Sequence, residues 1–232
     1  MPKFIPYHRM PEKGLLPAVM VYGPGVRIWH WLNALSVVVL AITGYFIGVP
    51  PPSAIGDTSS LYVMGWIRFL HLAFGYIFAL LSIMRLWLVF AEGGISHQLF
   101  LPAIWRKVWL DGFLRQIRWN LLLGGPLRYV GLNPLANIAM LFMFVIPGAI
   151  ILLTGFAMYA EVTGHDSWQY YLFGWLTMLF GNSLDLHVLH RLAMWVMVWF
   201  SMAHIYIAVR EDILSRQTVI STMLSGERQF RD

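Results

Sequence analysis

The 232-residue chain contains no cysteine. That absence excludes a disulfide, a thiolate-held iron–sulfur cluster and a haem linked through a Cys-x-x-Cys-His motif, so any redox cofactor must be held by histidine, methionine or carboxylate. Charge is also scarce: Asp, Glu, Lys and Arg make up 12% of the residues against 59% hydrophobic ones, and the mean hydropathy is +0.65. These values exclude an ordinary soluble domain and indicate a polytopic membrane protein. Residues 1–27 lack an apolar run ahead of a small-residue cleavage site, so no cleaved signal peptide is expected and the first long apolar run should remain as an anchor. With no internal repeat, low-complexity tract or linker to divide it, the chain is expected to form a single domain, 1–232.

What is present is four apolar runs, at about 28–48, 68–91, 135–160 and 187–209. Each meets the roughly 20 residues needed to cross a ~30 Å hydrocarbon core. The expected fold is an all-α membrane protein, a four-transmembrane-helix bundle. The connection after the second run interleaves Trp, Leu and Phe with Arg106, Lys107, Arg115, Arg118 and Arg128, which predicts a helix lying in the plane of the membrane interface and not a fifth span. The run 168–180 is too short to span and is read as a second surface-lying segment. Basic residues are missing from the connections 49–67 and 161–186, which carry only Asp57, Glu161, Asp166 and Asp185. They are concentrated instead in the N-terminal segment (Lys3, Arg9, Lys13, Arg27), the middle connection and the tail (Arg210, Arg216, Arg228, Arg231). By the positive-inside rule both termini are cytoplasmic. The net charge of +5 is thus read as orientation in the membrane and not as a nucleic-acid patch.

The last run carries a histidine near each end. From His190 to His204 is 14 residues, a rise of about 21 Å and roughly 40° short of four revolutions, so both imidazoles leave one helix face. In that orientation His71 matches His190 in depth toward the outer surface, and His30 matches His204 toward the cytoplasm. A low-spin haem needs two facing axial imidazoles, and the two pairs predict two haems about 20 Å apart. One histidine near a helix end is usually an interfacial or hydrogen-bonding group. Depth matching, the shared face and the lack of other intramembrane metal-binding residues favour ligation for all four together.

Other candidates carry weaker chemistry. His187 neighbours His190 at i, i+3 but sits about 100° from His204 on the helix, so it is read as a contact to the ligating histidine or to a haem propionate. His8, His97 and His165 are read as solvated. Arg27, Arg68 and Arg191 each lie within three residues of a proposed ligand, where guanidinium suits a haem propionate and where an interfacial arginine is equally expected. Arg85 is expected to snorkel to the cytoplasmic headgroups. Gly44 with Gly48, Gly75, Gly148 and Gly155 suggest close helix packing or clearance for a porphyrin, and Pro147 a kink.

The segments VRIWHWLNALSVVVLAITGYFIG, MGWIRFLHLAFGYIFALLSIMRLW, GLNPLANIAM, GNSLDLHVLHRLAMW and HIYIAVREDILSRQTVISTMLSG resemble, in order and spacing, the b-type cytochrome subunit of membrane-bound nickel–iron uptake hydrogenases. The wider superfamily includes the cytochrome b subunits of formate dehydrogenases. The resemblance implies haem b bound by His30, His71, His190 and His204. It also implies a bacterial inner-membrane complex in which a large nickel–iron subunit oxidises dihydrogen and a small iron–sulfur subunit passes electrons to this chain. The chain would be an electron-transfer subunit of a respiratory complex, handing electrons on to menaquinone or ubiquinone near the cytoplasmic face, while hydrogen oxidation occurs on its partners. Asn133 resembles the asparagine that binds quinone in the formate dehydrogenase relatives; as the residue before Pro134 it equally suits a helix N-cap. Glu211 and Asp212 could relay protons, although acids at a helix exit are usually solvated. The alternatives are a cytochrome b subunit of another quinone-linked oxidoreductase such as formate dehydrogenase, a free-standing di-haem cytochrome, or a haem-free membrane anchor.

Overall fold

The computed structural model describes residues 19–52, 62–92, 96–100, 102–125, 127–129 and 131–229. Lys3, His8, Arg9, Lys13, Asp57, Arg231 and the side chain of His97 lie outside the described residues. The helices are α1 (Pro24–Gly48), α2 (Val63–Glu92), α3 (Lys107–Asn120), α4 (Pro134–Met140), α5 (Ile146–Thr163), α6 (Trp168–Phe180), α7 (Ser183–Leu214) and α8 (Val219–Ser225). A short 3₁₀ segment covers Ser96–Leu99, and β1 (Val19–Met20) pairs antiparallel with β2 (Glu227–Arg228). The strand pair, which joins the two ends of the described chain, was not expected from the sequence.

Among the described residues four helices are long and apolar enough to cross a membrane: Pro24–Gly48, Val63–Ala91, Pro134–Thr163 and Ser183–Leu214. Each extends beyond its apolar run at one end or both, because helical hydrogen bonding continues past the run until a cap or a breaker stops it. Along these spans Leu80, Ile83, Leu192, Trp199 and Ile205 are exposed, as lipid-facing positions of a multi-pass protein must be. In the third span Pro147 lacks the N–H that would bond Met143. The chain accommodates this with a π-helical turn over Leu141–Val145, in which the Ile146 N–H reaches back five residues to the Leu141 carbonyl. The expected irregularity is therefore present, as a widened turn just before the proline.

The chain divides into two compact units: Met1–Ile28, Leu86–Ala149 and Trp195–Asp232 form one, and Trp29–Arg85 with Ile150–Met194 form the other. In the first, α3 is amphipathic as predicted, burying Trp109, Gly112, Gln116 and Trp119 along one stripe. Gly112 is needed for close approach, since a Cβ there would stand 3.0 Å from the Tyr129 hydroxyl and 3.2 Å from Pro134. Glu211, buried at the end of α7, accepts from Trp119 Nε1 at 2.7 Å and Gln116 Nε2 at 3.1 Å. Arg210 donates to Asn120 Oδ1 and the Trp119 carbonyl and lies over the Trp119 ring. Glu211 is thus a buried clamp, not the solvated acid that its place at a helix exit suggests. Asp212 accepts from Ile220 N–H at the start of α8. Arg228 donates to the carbonyls of Tyr129 and Gly131; burial lowers its pKa, opposed by the charges of Tyr22 and Glu211.

The second unit holds a small core of Ala157, Leu176 and Leu186. The segment 168–180 is helical as read. Ser167 caps its N-terminus by accepting from Tyr170 N–H, and Gly181 ends it in the left-handed conformation at φ 72°. Tyr76 packs against Phe156, Tyr159 and Trp168 and accepts from Gln169 Nε2. Arg85 corrects an expectation. It does not reach outward by snorkelling but is buried at 6% exposure, its guanidinium 5.2 Å from the centre of the Trp29 ring, while Trp29 Nε1 donates to the Leu81 carbonyl. An aromatic face inside the bundle offers the cation a partner without the long reach to headgroups.

Candidate cofactor site

His71 on α2 and His190 on α7 face each other within the second unit. Their ring centres are 6.4 Å apart and their planes cross at 65°. A metal about 2 Å from each coordinating nitrogen would set two opposed imidazole centres roughly 6 Å apart, so the pair is spaced to hold one iron between them. Among the described residues no cluster of three or more His, Asp or Glu is suited to a metal. Two opposed imidazoles supply only the axial positions, so the donor set fits a metal whose other positions are filled by a macrocycle.

Each ring has a second anchor that the sequence reading missed. Thr43 Oγ1 lies 2.9 Å from His71 Nδ1 and Thr154 Oγ1 lies 2.8 Å from His190 Nδ1. Both hydroxyls also bond backward along their own helices, Thr43 to the Val39 carbonyl at 2.7 Å and Thr154 to the Ile150 carbonyl at 2.6 Å. The residue after each threonine is glycine. A Cβ on Gly44 would stand 3.1 Å from His71 Cε1, and one on Gly155 3.2 Å from His190 Cε1. The glycines read as helix-packing positions therefore seat the imidazoles. One turn on, Gly48 lies beside Arg191, whose Cζ would be 3.5 Å from a Cβ there. Gly75 is different: a Cβ would meet nothing within 4 Å, so packing does not demand glycine one turn along α2 from His71, and clearance for a flat ring does fit it.

The remaining candidates are placed separately. His30 belongs to the second unit and meets Trp31 edge-on at 5.2 Å. His204 belongs to the first, stacked on Phe200, which itself packs against Phe144. Arg27 donates to the Leu224 carbonyl and so ties α1 to α8. Arg68 and Arg191 are exposed beside His71 and His190 in sequence. His187 is exposed and donates from Nδ1 to the Ser183 carbonyl at 2.8 Å, on the first turn of its own helix. His165 meets the Tyr170 ring edge-on at 4.2 Å. Asn133 caps α4 by accepting from Ala136 N–H at 2.7 Å, with Pro134 as the first helical residue. The neighbouring Asn137, fully buried, donates to the Gln98 carbonyl, and Gln98 Oε1 accepts from Leu132 N–H.

Comparison with known proteins follows the same line. The family described as prokaryotic cytochrome b561 matches residues 21–226. The chain is 47% identical over 216 residues to a protein of Rhizobium leguminosarum bv. viciae, covering 93% of this chain and 90% of that one. It is 48% identical over 216 residues to one of Azotobacter vinelandii, with the same coverage. Both are named probable Ni/Fe-hydrogenase B-type cytochrome subunits. A protein of Escherichia coli K12, named probable Ni/Fe-hydrogenase 1 B-type cytochrome subunit, is 41% identical over 217 residues, covering 91% of each chain. With four spanning helices and a match over nearly its whole length, the chain is a multi-pass bacterial membrane protein that belongs to the prokaryotic cytochrome b561 family.

Proposed function

We propose that the chain is the haem b electron-transfer and membrane-anchor subunit of a nickel–iron hydrogenase, accepting electrons from a small iron–sulfur subunit and delivering them to membrane quinone. The observation that carries this reading is the opposed pair His71 and His190, 6.4 Å between ring centres. The names of relatives at 41–49% identity support the hydrogenase partners. Haem b, when bound, supplies a one-electron iron centre with no need for proton transfer. The chain's own residues hold each imidazole from behind, keep the pair in an apolar span, and leave one nitrogen of each ring for coordination. A second pair, His30 with His204, rests on depth matching in the sequence and on the family resemblance, and the cytoplasmic placement of both termini rests on the distribution of Lys and Arg. Arg68 and Arg191 are exposed beside the first pair and suit propionates. Asn133 spends its carbonyl oxygen on the helix cap, so any contact with a quinone carbonyl falls to its amide nitrogen. Quinone reduction on the cytoplasmic side, with protons released outside, would move charge against the membrane potential at ~2.3 kcal/mol per charge per 100 mV.

The test is the haem-to-protein ratio and its reduction by dihydrogen in the intact membrane complex, with His71→Ala and His204→Ala variants. Two haems per chain, each lost in one variant, are expected. A complex that assembles and turns over dihydrogen with no haem on this chain would leave it a membrane anchor.

A further inference from the structure

We infer that Thr43 and Thr154 are positioning residues, whose hydroxyls fix the tautomer, ring plane and electron-donating strength of His71 and His190 toward a bound iron. The inference rests on the haem reading of that pair. It starts from a proton count. A threonine hydroxyl has one hydrogen and two lone pairs. Thr43 bonds both the Val39 carbonyl, which can only accept, and His71 Nδ1; Thr154 does the same with the Ile150 carbonyl and His190 Nδ1. The single hydroxyl hydrogen is therefore committed to the carbonyl, and the imidazole must donate from Nδ1–H. Each ring is left with Nε2 unprotonated, the state that a metal ligand requires.

The arrangement occurs twice, on separate helices. Thr43–Gly44 on α1 serves His71 on α2, and Thr154–Gly155 on α5 serves His190 on α7. In both, the hydroxyl holds one ring nitrogen while the glycine lets the ring edge lie against the helix, within 3.1–3.2 Å of where a Cβ would be. A threonine in an apolar helix normally needs only its own i−4 carbonyl. Two that each reach a histidine on a different helix, with glycine next in sequence both times, form a built seat.

The chemistry has a direction. An acceptor at Nδ1–H raises the basicity of a coordinating imidazole, and here a chain N–H···O–H···O=C polarises along its length. A more basic ligand pair favours ferric over ferrous iron and lowers the midpoint potential. The neutral hydroxyl is a weaker acceptor than a carboxylate, so the pair is tuned without burying a charge in the span.

The experiment is an optical redox titration, with low-temperature electron paramagnetic resonance, on the intact complex carrying Thr43→Val, Thr154→Val, Thr43→Ser or Thr154→Ser. Attention goes to the haem component that His71→Ala removes. Valine keeps the shape and loses the hydroxyl; serine keeps the hydroxyl. Each valine variant is expected to retain haem and, poised at the wild-type midpoint, to show about a threefold to tenfold lower ferric-to-ferrous ratio, tenfold corresponding to ~59 mV for one electron. Its low-spin signal should change as the ring is freed, and the serine variants should return toward wild type in both readouts. Haem lost from the valine variants but kept in the serine variants supports the same role. Valine variants with haem, midpoint and signal unchanged, or haem lost equally from valine and serine variants, overturn the inference in favour of simple packing. Absence of that haem component from the wild-type complex overturns the parent reading and this one with it.

Discussion

Trp119 and Glu211 are joined by a 2.7 Å hydrogen bond from the indole nitrogen to the carboxylate, and the same oxygen receives Gln116 Nε2. This bond fastens the amphipathic helix α3 to the end of α7. Glu211→Ala leaves two buried donors unpaired, and the cost expected is about 2–4 kcal/mol. Glu211→Gln, which keeps an accepting oxygen, should cost less. Thermal unfolding of the detergent-solubilised protein, with protease nicking around α3 as a local readout, checks both. Equal melting of the three proteins would show that the clamp contributes nothing.

The two histidines on the first turns of α7 should behave oppositely. His187 is exposed and bonded to its own helix, so His187→Ala should keep the full complement of haem. His190→Ala should lose one haem. Haem content by absorbance against protein concentration decides, and loss in the His187 variant would reassign the ligand.

The glycine seats make a steric prediction. Gly44→Val or Gly155→Val pushes the adjacent imidazole from its place, at an overpacking cost of about 1–3 kcal/mol, and should abolish haem binding at that pair. Gly75→Ala meets no neighbour and should leave the haem-free protein at least as stable, since alanine favours a helix interior over glycine by about 0.5–1 kcal/mol. A Gly44→Val protein that still holds its haem would mean that the ring has another way to sit.

Arg85 stacked on Trp29 is a buried cation with an aromatic partner, for which about 2 kcal/mol is expected. Arg85→Ala should destabilise by that order. Because the pair is shielded from solvent ions, the loss should be the same at low and high salt, measured by parallel melts. A loss that vanished in high salt would place the guanidinium at the surface.

Much of this architecture can be read along the chain. The spans follow from apolar length, α6 from Ser167 and Gly181 at its ends, and α3 from its alternation of aromatic and basic residues. His71 and His190 follow from their matched depth near the starts of the second and fourth spans, which cross in the same direction. The features that escape reading depend on partners distant in sequence. Thr43 and Thr154 look like ordinary small residues of apolar helices until His71 and His190 are brought beside them. Arg85 looks like a snorkelling cation until Trp29 is seen beneath it, and Glu211 like a solvated helix-end acid until α3 folds back over it. Pro147 announces an irregularity but not its form, because a kink and a π turn both answer the missing N–H.

The distribution of the seated imidazoles between α2 and α7 also sets an order of events during synthesis. His71 and its threonine emerge early, on the first two spans, whereas His190 lies on the fourth and leaves the ribosome later. A ligand that needs both rings cannot be captured by a nascent chain that is still growing through its third span. Capture by both rings must follow insertion of α7: a chain that stops short of α7 carries a finished half-seat and nothing to close it.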